Sequence, residues 1–401
     1  MKITYETHYR SAREDGRHLS SMAALMERMR NTPAALTMPK NLTREEFLAW
    51  RKVLKAKVSE LLELSFWLEE AKGQEAPRLL SSVQREGYRV EKWECYPDAY
   101  SVVPFLALIP DRASETHPVP GVMCLPGSIF SKEFLAGEPL LDTPNCRFEK
   151  YPDRNRMALY MVQNGMAAFA FDSPEIAECS LEIEREGNYG GSSRAQMCHG
   201  LLQCGHSYVG LSLSQKLCAL SFIKTLPYID KGRLAVSAHS LGCDPAMYMG
   251  LLCDEISAVV FNDLVCDEYH RYFSTTEYDE RAMSNNAGNW HVLPAHYTQF
   301  ARPDVLAALA PKFLALNEGG AEFYLDRIRE AYALMGAKDR LQITHYPKYQ
   351  NEEMRSKIYE PPMYGLSDET YFAYTNTDAP DHSFRMEPSI ALLRRAFEIE
   401  K

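Results

Sequence analysis

The apolar positions of this chain follow three rhythms in turn. From residue 11 to 75 they recur at helical steps. Met22, Leu25, Met26 and Met29 fall three or four apart before Pro33. Phe47, Trp50, Val53, Leu54, Val58, Leu61 and Leu62 then continue the pattern of an amphipathic helix. Thr43 ahead of Arg-Glu-Glu predicts the start of that helix, with Thr43 as N-cap and Glu46 at the third helical position. From about Glu86 the period drops to two. Tyr88–Tyr96 alternates as a half-buried strand should, and Ser101–Ile109 predicts a second strand across a turn at residues 97–100. From Gly121 onward, short apolar runs alternate with helical stretches. Strands are predicted at Gly121–Leu125, Met166–Phe171, Leu234–Val236, Ser257–Phe261, Pro311–Leu316 and Leu341–Tyr346. Helices are predicted at Arg154–Asn164, Tyr208–Leu226, Phe323–Leu334 and Pro388–Phe397. Wholly apolar strands are buried on both faces. Two or three leading strands followed by strand–helix alternation predict an α/β fold with a mostly parallel sheet.

Three stretches interrupt the alternation. Residues 173–205 are rich in glycine, serine and charge and read as surface loop. Residues 264–302 carry many Tyr, His and Asn, and residues 347–381 form a further insertion. Each follows a strand, at the sheet edge where a doubly wound fold places its site. Long irregular loops there are more often functional than not. They are expected to cluster over one end of the sheet. The expected organisation is an N-terminal helical extension at 1–80 and an α/β catalytic domain at 81–401.

Composition narrows the partners. The 401 residues are long for one domain but ordinary for one enzyme domain with additions, and 46% hydrophobic content supplies a sizeable core. The 44 basic and 54 acidic side chains leave a net charge of −10, which argues against a nucleic-acid partner. The basic stretch Arg51–Lys57 lies on a predicted helix and reads as its solvated face. There is no run of eighteen apolar residues, so no membrane span is expected, and residues 1–10 lack the apolar core of a signal peptide. The ten cysteines include no Cys-x-x-Cys pair, and several sit in apolar runs. Buried thiols in a reducing compartment fit that pattern, so a cytoplasmic location is expected.

The chemistry gathers at residues 233–252. An apolar strand runs into Ala238-His-Ser-Leu-Gly242, and a buried helix follows. A strand-to-helix turn this tight needs small flanking residues, here Ala238 and Gly242. It pushes the Ser240 hydroxyl out above the sheet edge, beside amides at a helix N-terminus. This is the pattern of the nucleophile elbow, with alanine at the first glycine position. Serine is a weak nucleophile at neutral pH and needs a base and oxyanion donors. In this architecture the chain order is serine, acid, histidine. Of the eleven histidines, His382 lies where the base belongs, after the last strand and before the closing helix. His345 reads as a packed residue inside the last strand. His291 and His296 do not have a metal-binding spacing, and neither a metal nor another cofactor is expected. For the acid, three carboxylates compete. Glu318 leads because it leaves a strand end with Gly319 and Gly320 behind it. Asp263 on the neighbouring strand is next, and Glu322 in the first turn of the following helix is third. Gly127 would let the backbone approach the substrate. The amide of Ser128 or Ile129 then supplies one oxyanion donor, and that of Leu241 the other.

Leu-Pro-Gly-Ser at 125–128, Ala-His-Ser-Leu-Gly at 238–242, Phe-Asn-Asp-Leu at 261–264, Ala-Pro-Lys-Phe-Leu at 310–314, Asn-Glu-Gly-Gly at 317–320 and Asp-His-Ser-Phe at 381–384 occur in this order. Together they resemble the α/β-hydrolase superfamily, in its acetyl-xylan-esterase-like and dienelactone-hydrolase-like branch. The motifs cover about residues 80–400 and leave the N-terminal helices outside. The resemblance implies the α/β-hydrolase fold, with Ser240 as nucleophile and His382 as base. Two positions depart from the family: Pro126-Gly127 stands for the usual His-Gly, and glutamate stands for the usual aspartate. The implied activity is hydrolysis of a carboxylic ester, with a small acyl group on a carbohydrate or similar polar alcohol. A peptidase on the same residues, or a binding protein on a hydrolase fold, are the alternatives. The expected partner is a small-molecule ester, with no nucleic acid and no membrane. A homo-oligomer is left open.

Overall fold

The computed structural model describes residues 11–139, 152–182, 191–267, 289–356 and 368–399. Thr43 caps the helix Arg44–Leu61 through a capping box: its hydroxyl accepts from the Glu46 amide, and its own amide donates to the Glu46 carboxylate at 2.8 Å. The helix buries Phe47, Trp50, Leu54 and Val58. These side chains join the large apolar cluster on one face of the sheet and form no core of their own. Arg51 donates to the Ala310 carbonyl at 2.6 Å, and the Met38 amide to the Asp304 carboxylate at 2.9 Å. The leading helices are therefore packed into the α/β unit.

Nine strands make one sheet: β1 Arg78–Arg85, β2 Tyr88–Cys95, β3 Val103–Pro110, β4 Val119–Leu125, β5 Ala167–Phe171, β6 Ile229–His239, β7 Ile256–Asn262, β8 Phe313–Leu316 and β9 Leu341–Ile343. Their order is β1-β2-β3-β5-β4-β6-β7-β8-β9. Pairing is antiparallel from β1 across to β5 and parallel from β5 across to β9. Successive residues of a strand face opposite layers. In β6, Leu234, Val236 and Ala238 enter the layer that holds the helices Tyr208–Ile223, Cys243–Leu252 and Glu322–Leu334. Ala235 enters the layer of Lys132–Ala136, Met157–Gln163 and Met386–Phe397. Helices on both faces explain why β3, β4 and β5 are buried along their whole length.

The strand order places the site. After β4 the chain crosses to β5 on one side. After β6 it crosses to β7 on the other. The loops leaving β4 and β6 thus diverge, and a crevice opens at their carboxyl ends.

Several boundaries differ from the sequence pattern. β1 was missed because it is an exposed edge strand, with no buried face to impose alternation. β6 begins at Ile229, five residues before the apolar run. β9 ends at Ile343, so His345 follows the strand and does not lie within it. The 173–205 stretch includes a helix, Gly191–Gln203, and the 347–381 stretch another, Asp368–Tyr374. Other parts of the three insertions, 183–190, 268–288 and 357–367, lie outside the described residues. Among the described residues no helix is long and apolar enough to cross a membrane.

Candidate active site

β6 ends at His239, and Ser240–Gly242 forms one tight turn before the helix Cys243–Leu252. Ser240 has φ +52°, a left-handed conformation that costs a side-chain-bearing residue energy and is retained only where its surroundings impose it. The imposing contact lies at Gly242. A methyl group there would meet the Leu125 carbonyl oxygen at 2.5 Å and the Pro126 oxygen at 2.7 Å. The turn is pressed onto the end of β4, and only glycine fits. Gly242→Ala is expected to cost about 1–3 kcal/mol through this overpacking, read as a lower urea midpoint, and to displace Ser240.

The β4 loop reaches the same point. A methyl group on Gly127 would lie 3.0 Å from His239 Nδ1 and 3.5 Å from Ser240 Cβ. Beyond the loop, fully buried Lys132 anchors the chain. Its amide donates to Asp172 Oδ1 at 2.7 Å, and its ammonium pairs with Asp172 at 2.8 Å, Glu133 at 2.8 Å and Glu178 at 2.6 Å. Three carboxylates hold this lysine charged despite its burial, raising its pKa well above the ordinary value.

His382 follows a short turn at Ala379–Asp381. Its ring stacks on that of His239, with centroids 4.6 Å apart and planes at 29°. This sets the imidazole beside the residue that precedes Ser240. Its Nδ1 is 2.6 Å from Glu318 Oε2. Among the three candidate carboxylates, Glu318 is the one the structure brings to His382. Asp263 instead accepts from the Leu264 amide at 2.9 Å and faces the Arg302 guanidinium at 3.8 Å. Glu322 pairs with Arg329 at 2.8 Å and lies 3.6 Å from His345. Gly319 and Gly320 supply the bend that aims Glu318 inward. Gly319 has φ +63°, and a methyl group on Gly320 would strike the Val265 carbonyl at 2.5 Å.

Sequence reasoning missed Asn262, the last residue of β7. Its amide nitrogen donates to Glu318 Oε1 at 3.0 Å and to the Ser383 carbonyl at 3.1 Å, and its oxygen accepts from the Arg385 amide at 2.7 Å. One buried side chain therefore links the Glu318 strand end to the His382 loop. Its place within Phe261-Asn-Asp-Leu264 was the available signal. Tyr346 lies against the same carboxylate: burial, and then the Glu318 charge, push its phenol far above the ordinary value. His345 packs behind Gly319, and burial, reinforced by Arg355 and Arg329, lowers its pKa to about 4.

His239, Glu318 and His382 bring their donor atoms within 4.8 Å of one another. The two imidazoles are stacked, so their in-plane lone pairs run side by side and do not converge on a common centre. His291, considered from the sequence as a ligand, pairs with Asp244 at 2.6 Å, and His296 packs on Phe300.

The described parts of the insertions gather at this end of the sheet. Cys198 from the helix Gly191–Gln203, Tyr208 and Leu241 form a small apolar cluster, with Met197, Leu201 and Trp290 packed on it. Two insertions thus meet over the residue after Ser240. Asn376, from the third, donates to the Gly320 carbonyl at 3.0 Å. Below them Arg302 is buried between carboxylates, 2.7 Å from Asp244 and 3.8 Å from Asp263. Arg302→Met leaves buried negative charge without that cation. The expected loss is about 3–5 kcal/mol of unfolding free energy, measured by denaturant titration.

A family model described as Abhydrolase family matches residues 4–395. This takes in the N-terminal helices that the sequence motifs left outside. Among solved structures, a Bacteroides fragilis protein provisionally named an acetyl xylan esterase is 35% identical, aligned over 98% of this chain and 100% of its own, with a TM-score of 0.87. A methylesterase is 14% identical over 98% of this chain and 81% of its own, with a TM-score of 0.55. A glucuronoyl esterase from Solibacter usitatus is 13% identical over 91% and 97%, with a TM-score of 0.52. At these identities the last two show a shared fold. No curated protein matches the chain.

Proposed function

The chain belongs to the abhydrolase family, and we propose that it is a serine carboxylic-ester hydrolase acting through an acyl-enzyme on Ser240. The observation that carries this reading is the 2.6 Å contact of His382 with Glu318, on a ring stacked beside the elbow. In this reading Glu318 holds the His382 proton on Nδ1, so that Nε2 accepts the Ser240 proton as the hydroxyl attacks the ester carbonyl. The negative oxygen of the tetrahedral intermediate is met by the Leu241 amide and by that of Ser128 or Ile129. His382 then returns its proton to the departing alcohol. Water, activated by the same base, releases the acid. The Leu241 amide and those of Ser128 and Ile129 donate to no acceptor among the described residues, which suits that role.

A small acyl group, such as acetyl, on a carbohydrate is the proposed substrate. It rests on the 35%-identical relative and its acetyl xylan esterase name. The partner proposed is that small-molecule ester, and the proposed location is a reducing cytoplasm. The test is a hydrolysis screen of p-nitrophenyl esters of rising acyl length, run beside acetylated xylo-oligosaccharides and peptide anilides. Activity falling steeply beyond acetyl or propionyl, with deacetylation of the sugars, is expected. Preference for the anilides would turn the reading to a peptidase. Failure of a fluorophosphonate to label Ser240 would remove the serine mechanism.

A further inference from the structure

Arg194 stands outside the residues assigned so far. It lies on the helix Gly191–Gln203, is buried at 7% exposure, and donates from Nη1 to the Ser128 carbonyl oxygen at 2.9 Å. Its guanidinium sits 4.2 Å over the Trp290 ring. A stacked, planar guanidinium can aim a donor with little freedom left to lose. Its target is one peptide plane of the loop beside Ser240. A trans peptide is rigid, with its C=O and N–H pointing in opposite directions. Holding the Ser128 oxygen toward Arg194 therefore fixes the direction of the Ile129 N–H. Ser128 and Ile129 are only half-buried and lie outside regular structure, so no helix or strand ladder sets this plane. Neither amide has an acceptor among the described residues.

We propose that Arg194, clamped on Trp290, is a positioning residue that orients the Ser128–Ile129 peptide so that the Ile129 amide serves as the first oxyanion donor. This rests on the serine-esterase reading and adds a part to it. The insertions then do more than cover the site: the helix Gly191–Gln203 supplies the arginine, the segment at Trp290 supplies its platform, and the loop after β4 receives both. The arrangement stabilises the tetrahedral intermediate and leaves ground-state binding unchanged, since the ester carbonyl needs the donor chiefly when it carries charge. A competing role exists for the same side chain. Its buried Nε donates to no acceptor among the described residues, and a substrate oxygen would be a natural partner for it.

Steady-state kinetics of Arg194→Met and Arg194→Lys on p-nitrophenyl acetate separate the two. Arg194→Met is expected to lower kcat by about 10²–10³-fold, the size of one lost oxyanion donor, with KM changed less than about threefold. A boronic-acid inhibitor, whose serine adduct is tetrahedral and anionic, should weaken by a similar factor. Trp290→Leu should reproduce part of the kcat loss. Arg194→Lys, which restores one donor but not the planar clamp, should recover part of it and serves as the readout if Arg194→Met does not fold. A rise in KM at constant kcat, or no kinetic change in a folded variant, would overturn the proposal. Wild-type Ser240 labelled by a fluorophosphonate in the same series keeps the parent reading standing when this one fails. Without that labelling, both fall.

Discussion

Ser240→Ala should abolish ester turnover and leave the fold in place. The loss is expected to reach roughly six orders of magnitude in kcat, the size found when a triad nucleophile is deleted. Stability should change little or rise. The serine sits at φ +52° with its side chain half exposed, and alanine keeps the small volume that the turn requires. The contacts that press the turn onto β4 belong to Gly242, which is untouched. Residual turnover above about a thousandth of wild type would exclude Ser240 as nucleophile. The measurement is an initial-rate assay on p-nitrophenyl acetate, with circular dichroism and a thermal melt as the fold control. Intact-protein mass after brief exposure to excess ester adds an independent reading. Wild type should carry an acyl mass and the variant none.

Glu318→Gln tests the geometry behind that nucleophile. The two side chains have nearly the same shape, so the pocket should accept the change. The hydrogen bonds decide how the new amide turns. Asn262 donates to Oε1 at 3.0 Å, so the amide oxygen must face Asn262. The NH₂ then faces His382 Nδ1, which lies 2.6 Å from the other carboxylate oxygen. An NH₂ at that distance can only donate. It therefore forces the His382 proton onto Nε2, the nitrogen that accepts from Ser240 in the proposed mechanism. The expected result is a fall in kcat of about three to four orders of magnitude from the wrong tautomer. KM and the unfolding midpoint should stay close to wild type. A kcat within tenfold of wild type would remove Glu318 from the acid role. Asp263→Asn is the comparison. Asp263 faces Arg302, so its effect should fall on stability more than on the tautomer.

What could be read directly from the chain was what a short stretch encodes. The capping box at Thr43 and Glu46 closes within four residues. The wholly apolar run at Gly121–Leu125 required burial on both faces and hence a covered parallel sheet. The small residues around Ser240 required a tight turn between a strand and a helix. The position of His382 followed from motif order. In the cap, the buried run and the turn the cause acts over a few residues, so the pattern survives in one dimension. β1 shows the converse: an exposed edge has no buried face, so its residues carry no alternation to read.

The rest depended on which chain segments the sheet brings together. Glu318, Asp263 and Glu322 were each defensible from the sequence. What separates them is which cation each one meets: Arg302 faces Asp263, Arg329 holds Glu322, and neither engages Glu318. The bonds of Asn262 to Glu318 and Ser383 exist only because β7 and β8 lie side by side with the 381–385 loop across their ends. Arg194 and Trp290 are distant in sequence and carried no local signal, and both come from stretches that looked like irregular loop. Local periodicity determined the fold class and the elbow, because burial and turn sterics act between near neighbours. The partner of His382, Glu318, was decided by the strand order and its switch between β4 and β6, because a hydrogen bond between distant residues exists only once the tertiary structure has placed its two ends within 3 Å or so.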